Sequence, residues 1–136
     1  GMKDLVELDV TNTVVGDGGI EKLYGFPKLA ILSIEQCGIT AEGVAAISKI
    51  STLRELDLTN ESDLNGDSLE PLMALENLEV LELDENFMID GSAVDFLVEL
   101  KKLRKLKIGT TLLSSDSAAK DALLEALPNL EIQESF

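Results

Sequence analysis

The chain has 136 residues, 45% hydrophobic and 27% charged, which is length enough for a buried core and too apolar for a disordered segment. Its 26 acids against 11 bases give a net charge of −15, which repels phosphate, disfavours nucleic acid and favours a basic or neutral partner. One cysteine excludes an internal disulfide, the lack of histidine removes the common general base and zinc ligand, and no apolar run reaches the roughly 20 residues of a membrane-spanning helix.

Gly1 before Met2 reads as a residue left by tag removal. If Met2 is the natural start, residues 2–10 alternate charge with apolar residues and form no signal peptide, which points to the cytoplasm. A secreted or surface protein already trimmed of its signal is the alternative.

From Leu5 the chain repeats a phrase. Leu5, Leu29, Leu53, Leu78, Leu103 and Leu130 open LVELDV, LAILSI, LRELDL, LEVLEL, LRKLKI and the stub LEI, at spacings of 24, 24, 25, 25 and 27. Position 4 is Leu8, Leu32, Leu56, Leu81 and Leu106; position 6 is Val10, Ile34, Leu58, Leu83 and Ile108. The period of two predicts a half-buried strand in each unit.

Position 9 carries Thr13, Cys37, Glu61, Asn86 and Thr111, followed by an aliphatic residue at Val15, Ile39, Leu64, Ile89 and Leu113. Then the period changes. Ile20, Leu23, Phe26; Val44, Ile47, Ile50; Leu69, Leu72, Leu75; and Val94, Leu97, Leu100 each form one stripe of a short helix. Thr40 and Asp90 stand where N-cap oxygens belong, and Pro71 suits a helix starting near Ser68. A strand–helix unit of this length cannot bury its apolar face alone, so the units must stack, strands on one side and helices on the other.

The phrase Leu-x-x-Leu-x-Leu with Cys, Asn or Thr at position 9 and Ile or Leu beyond resembles the leucine-rich repeat. CGITAEGVAAISKISTLRELDL is most similar to the cysteine-containing subtype, with ribonuclease-inhibitor-like repeats close by. The likeness covers residues 5–132. It implies an α/β fold: a leucine-rich-repeat solenoid of right-handed strand–helix units, with a parallel concave sheet and convex helices. It implies one domain over 1–136, repeats starting near 5, 29, 53, 78 and 103, and a closing strand near 130. It implies a protein-interaction module engaging partners on the concave sheet, with no catalytic reaction. Glu61 departs from the pattern at position 9, and the fifth unit is two or three residues longer than the others.

Odd strand positions point away from the core. They set out Glu7, Ile31, Glu55, Val80 and Lys105; Asp9, Ser33, Asp57, Glu82 and Lys107; and Thr11, Glu35, Thr59 and Asp84. At about 4.8 Å between strands the face is roughly 20 Å across. Its acids favour a basic or mixed-polarity protein segment, with Ile31 and Val80 as apolar contacts; acidity for solubility alone is the plainer reading. At position 2, Arg54, Glu79, Arg104 and Glu131 read as a structural stripe of alternating charge.

Residues 61–99 hold twelve acids and no base, and then Lys101, Lys102, Arg104, Lys105 and Lys107 arrive together. Complementing the end of the fourth helix explains Lys101 and Lys102; weak self-association, basic end against acidic middle, is the alternative. Tyr24, Met73 and Val98 share one helix slot and read as the edge of the buried stripe, or as a small convex patch. Cys37 reads as a core position. Asp63, Asn65, Asp67 and Glu70 only distantly resemble a calcium loop, and turn and capping chemistry explains them as well. Gly16, Gly18 and Gly19 lack the Lys and Ser/Thr of a phosphate loop. The paired carboxylates Glu55 and Asp57, or Glu82 and Asp84, lie on an open sheet that would not desolvate an acid. The expectation is therefore a non-catalytic binder without metal or cofactor, with a self-associating scaffold as the alternative and a calcium-dependent binder or enzyme last.

Overall fold

The computed structural model describes residues 2–11, 15–61 and 63–134, so the position-9 assignment of Thr13 falls outside the described residues. Six strands of three residues each form one parallel sheet in chain order: β1 (Glu7–Asp9), β2 (Ile31–Ser33), β3 (Glu55–Asp57), β4 (Val80–Glu82), β5 (Lys105–Lys107) and β6 (Glu131–Gln133). The strands occupy only the middle of each six-residue phrase. At position 2 one carbonyl takes two amides of the next unit, Ala30 O accepting from Arg54 at 2.8 Å and Glu55 at 3.0 Å, and this forked bond ends the ladder.

Register puts position 4 of every unit in one inward row, Leu8–Leu32–Leu56–Leu81–Leu106–Ile132. Leu32, Leu56, Leu81 and Leu106 are buried, and Leu8, on the outermost strand, is half-buried. The closing strand corrects the sequence alignment. Leu130 had been matched to Leu103, with Glu131 beside Arg104; the sheet instead pairs Glu131 with Lys105 and Ile132 with Leu106. A one-residue slip would turn Ile132 outward, so the inward row decides the register and Glu131 joins the outward face.

The helical halves mix α and 3₁₀ turns. α1 (Gly16–Gly19) runs into a 3₁₀ turn over Ile20–Gly25, α2 spans Ala41–Ile47, and Gly66–Ala74 is wholly 3₁₀. Gly91–Ala93 is a 3₁₀ turn leading into α3 (Val94–Leu97), and α4 spans Ser117–Ala126. A stripe at i, i+3, i+6 has the 3₁₀ period of three residues per turn. In α4 the buried residues are Ala119 and Leu123, four apart, and that helix is α throughout. The third apolar residue of each stripe lies beyond the helix end; Ile50, Leu75 and Leu100 are still buried and Phe26 is half-buried.

Thr40 and Asp90 cap as expected, accepting from Glu42 N at 3.3 Å and Ser92 N at 3.1 Å. The start near Ser68 is corrected to Gly66. Asn65 accepts the Ser68 amide and returns its own amide to Ser68 Oγ, both at 3.0 Å, and this capping box sets the first turn two residues earlier. Units three and four touch at glycine distance here: a Cβ on Gly66 would stand 2.9 Å from the backbone nitrogen of Ala93.

Position 8 turns each strand toward the helix. Gln36, Asn60, Glu85 and Thr110 all lie in the left-handed region, with φ of 54°, 56°, 64° and 57°. The next unit holds them there: Gln36 N donates to Thr59 O, Asn60 N to Asp84 O and Glu85 N to Gly109 O. Only Asn60 is a residue that favours this conformation. The turn then drives position 9 inward, so Cys37, Glu61, Asn86 and Thr111 are buried. They form a polar ladder. Asn86 donates to Leu58 O and Leu83 O, each at 2.9 Å, and accepts Glu61 N at 3.0 Å; Cys37 Sγ donates to Val10 O at 3.0 Å. Cys37 is thus a core group.

Candidate interaction face

Because the strands are in register, the outward side chains stand in rows across the sheet. One row is Glu7, Ile31, Glu55, Val80, Lys105 and Glu131; the next is Asp9, Ser33, Asp57, Glu82, Lys107 and Gln133. Beyond them come Thr11, Glu35, Thr59 and Asp84, two residues further along each strand.

The middle of this face is bonded together. Asp57 Oδ1 accepts Thr59 N at 2.9 Å and Thr59 Oγ1 at 2.6 Å. Ser33 Oγ donates to Asp57 Oδ2 at 3.4 Å and shares a bond with Thr11 Oγ1 at 3.1 Å. Lys107 Nζ lies 3.1 Å from Glu82 and 3.8 Å from Asp84. At the first strand Asp9 accepts Thr11 N at 2.9 Å, and hydrogen bonds from Thr11 hold its carboxyl below the ordinary value.

Two carboxyls are pushed the other way. Burial raises Glu35, and the negative charges of Asp57, Glu85, Asp9 and Asp84 raise it further. Burial raises Glu82, and Asp57 adds to it while Lys107 opposes. Lys107 is itself raised, first by its bond to Glu82. The face is therefore crowded with negative charge around Asp57, and the lysine of β5 partly relieves it.

Two expected site residues need correction. Val80 is only 9% exposed, enclosed in its row between Glu55 and Lys105, and offers little apolar contact. Asp84 is equally buried because its carboxylate fills the space beside Gly109, accepting that amide at 2.7 Å. Ile31, Glu35, Glu55, Glu82, Lys105 and Lys107 are half-buried, while Glu7 and Asp9 are exposed. Of the position-2 stripe, Arg104 reaches Glu79 at 3.4 Å, and Glu131 has moved to the row of Lys105. Lys101 Nζ caps the fourth helical segment through Val98 O at 2.8 Å, as its dipole reading implied.

On the convex side Tyr24 and Met73 are exposed, Val98 packs against the core, and the Tyr24 hydroxyl donates to Ala46 O at 2.6 Å. Asn65 belongs to the capping box, the capping chemistry its sequence context offered. Among the described residues no three acidic or cysteine side chains gather as a metal site, and no helix is long and apolar enough to cross a membrane.

Sequence reasoning missed Phe87, Met88 and Leu112, which are 59%, 48% and 57% exposed at the rim of the face. The available signal was an apolar residue directly after position 9, where the second unit carries Gly38.

A profile of the Leucine Rich repeat family matches residues 2–23 and 27–48, and the same strand–turn–helix phrase continues through the sheet to β6. The chain is built of leucine-rich repeats. It is 30% identical over 135 residues to EEED8.10 of Caenorhabditis elegans, whose name provisionally calls it RNA-binding. That match takes in 94% of this chain and only 18% of the relative's length. Among solved structures, the Mex67:Mtr2 subunits of Chaetomium superpose with a TM-score of 0.56 at 14% identity, over 94% of this chain and 78% of that one; the likeness is one of fold. An internalin (InlF) of Listeria monocytogenes overlaps at a TM-score of 0.42 and 16% identity, over 97% and 48% of the two chains. Leucine-rich repeats in general mediate protein–protein interaction and are not catalytic.

Proposed function

We propose that residues 1–136 act as one recognition unit whose open sheet binds a basic or mixed-polarity protein segment. The observation that carries this reading is the row of acids around Asp57, where Lys107 Nζ already lies 3.1 Å from Glu82 and 3.8 Å from Asp84. Glu35 and Glu82 are both raised by burial and by neighbouring carboxylates, so a cation placed there gains from each. Lys107, bonded to Glu82 and Asp84, is the kind of group this cluster already recruits. Glu7, Asp9, Ile31, Ser33, Glu55, Thr59 and Lys105 make up the rest of the surface, with Glu131 and Gln133 added by the register of β6.

The name of the C. elegans relative raises RNA as a rival partner. The acidic face opposes phosphate, and RNA would have to use the lysines of residues 101–107 instead. The test is binding of a Lys/Ser peptide and of a single-stranded RNA oligonucleotide, each with and without added salt. The expected result is peptide binding that weakens with salt and is lost in Asp57→Lys/Glu82→Lys. Peptide affinity indifferent to both changes, or RNA bound in preference, would overturn the reading.

A further inference from the structure

We propose that the segment bound on this face carries an apolar side chain beside its basic residues, and that Phe87, Met88 and Leu112 receive that anchor. This rests on the reading of the open sheet as a cation-binding surface and adds the partner's second chemical requirement.

The argument begins with position in the repeat. Phe87 and Leu112 directly follow position 9 in the fourth and fifth units, in neighbouring loops that the Leu113–Ile89 backbone bond joins. Met88 follows Phe87. All three are among the most exposed large apolar residues of the described chain. The loops beneath them are pinned: Ile89 and Leu113 are fully buried, and Leu113 N donates to Ile89 O at 2.9 Å. The patch is thus preformed, and covering it orders little backbone.

Its surroundings select the occupant. Glu85, half-buried, lies two residues before Phe87 in the same turn, and its charge adds to that of the acids around Glu35. A segment with an aliphatic or aromatic side chain next to Lys or Arg satisfies both surfaces at once. A second copy of this chain would bring Glu85 and its neighbouring acids against one another, each copy carrying a charge of −15. RNA phosphate meets the same repulsion. An apolar anchor flanked by polar and charged contacts is also the usual division of labour in a protein interface.

The test uses two short Lys/Ser peptides, one ending in Leu-Phe and the other in Ser-Ser, titrated by fluorescence anisotropy. The Leu-Phe peptide is expected to bind at least about tenfold more tightly, as burial of two apolar side chains implies. Phe87→Ser/Leu112→Ser should remove that advantage and leave the Ser-Ser peptide unchanged. Both side chains lie outside the core, and an unaltered unfolding midpoint checks that the variant is intact. Equal affinities on the wild-type chain, or an advantage that survives in the variant, overturn the anchor while Ser-Ser binding upholds the wider reading. Binding of neither peptide overturns both. Sedimentation completes the test: concentration-dependent association lost in the Ser variant would assign the patch to a second copy and also overturn the proposal.

Discussion

The carboxylate of Glu61 accepts the amide of Cys37, one repeat earlier, at 3.0 Å to Oε1 and 3.2 Å to Oε2. It also accepts Ile39 N at 3.3 Å, and the residue is 2% exposed. The other four units carry a neutral residue at this position; here a carboxyl stands inside the core with backbone amides as its partners.

The first prediction follows from that burial. Glu61 is pushed up from 4.5 to about 7, by desolvation first, with the amide bonds opposing. The folded chain therefore holds this proton over a range where the unfolded chain has released it. Stability contributed by the protonated acid is full below the unfolded value. It falls as pH rises from 4.5 toward 7, by about 3 kcal/mol at most, and stays level above. Glu61→Gln should remove this fall and gain stability mainly above pH 7. Urea unfolding at acidic and mildly alkaline pH checks it; the same pH slope in both proteins would contradict it.

A second prediction concerns Thr110, a β-branched residue at φ 57°. Left-handed backbone costs an ordinary residue roughly 1–2 kcal/mol, and asparagine less. Thr110 is exposed and its side chain fills no core space. Thr110→Asn should raise stability by about 0.5–1 kcal/mol, and Thr110→Gly by less, because glycine gains freedom in the unfolded chain. The urea midpoint reads the gain, and a loss in both variants would show that the strain lies elsewhere.

The third prediction addresses the crowding at Asp57. Asp57→Asn keeps an acceptor for Thr59 and removes the charge that raises Glu35 and Glu82. Both carboxyls should then titrate lower, Glu82 chiefly through loss of its Asp57 neighbour. With Glu35 and Glu82 raised in the native chain, stability falls as pH rises through their titration, and the variant should reduce that fall. Carboxyl carbon shifts in an NMR titration read each group directly. An unmoved Glu82 would mean that burial alone raises it.

Much of the architecture was legible because two periods are written plainly in the chain. Apolar residues at positions 4 and 6 bury together from an extended chain, and the spacing-of-three stripe from a helix packed behind it. The stack then places Glu35, Asp57 and Glu82 on one face with no further information. The same stripe also carried the 3₁₀ period, since three residues per turn is its literal spacing; without tertiary contacts it could not be told from a short α-helix. The helix start at Gly66 was equally local, in the Asn65–Ser68 capping box.

What needed the folded chain were the quantities that depend on a neighbouring repeat. The left-handed turns at Gln36, Glu85 and Thr110 leave no mark in residue type; at Gln36 and Glu85 an amide donated to the next unit enforces them. The register of β6 came from Ile132 seeking the inward row, which no spacing of leucines records. Burial of Val80 and Asp84 on a face expected to be open depends on what stands one strand away. Periodicity along the chain determined which side of the sheet each residue occupies; only packing between repeats decided how far each is exposed, how its charge is held, and that Phe87 and Leu112 stay uncovered.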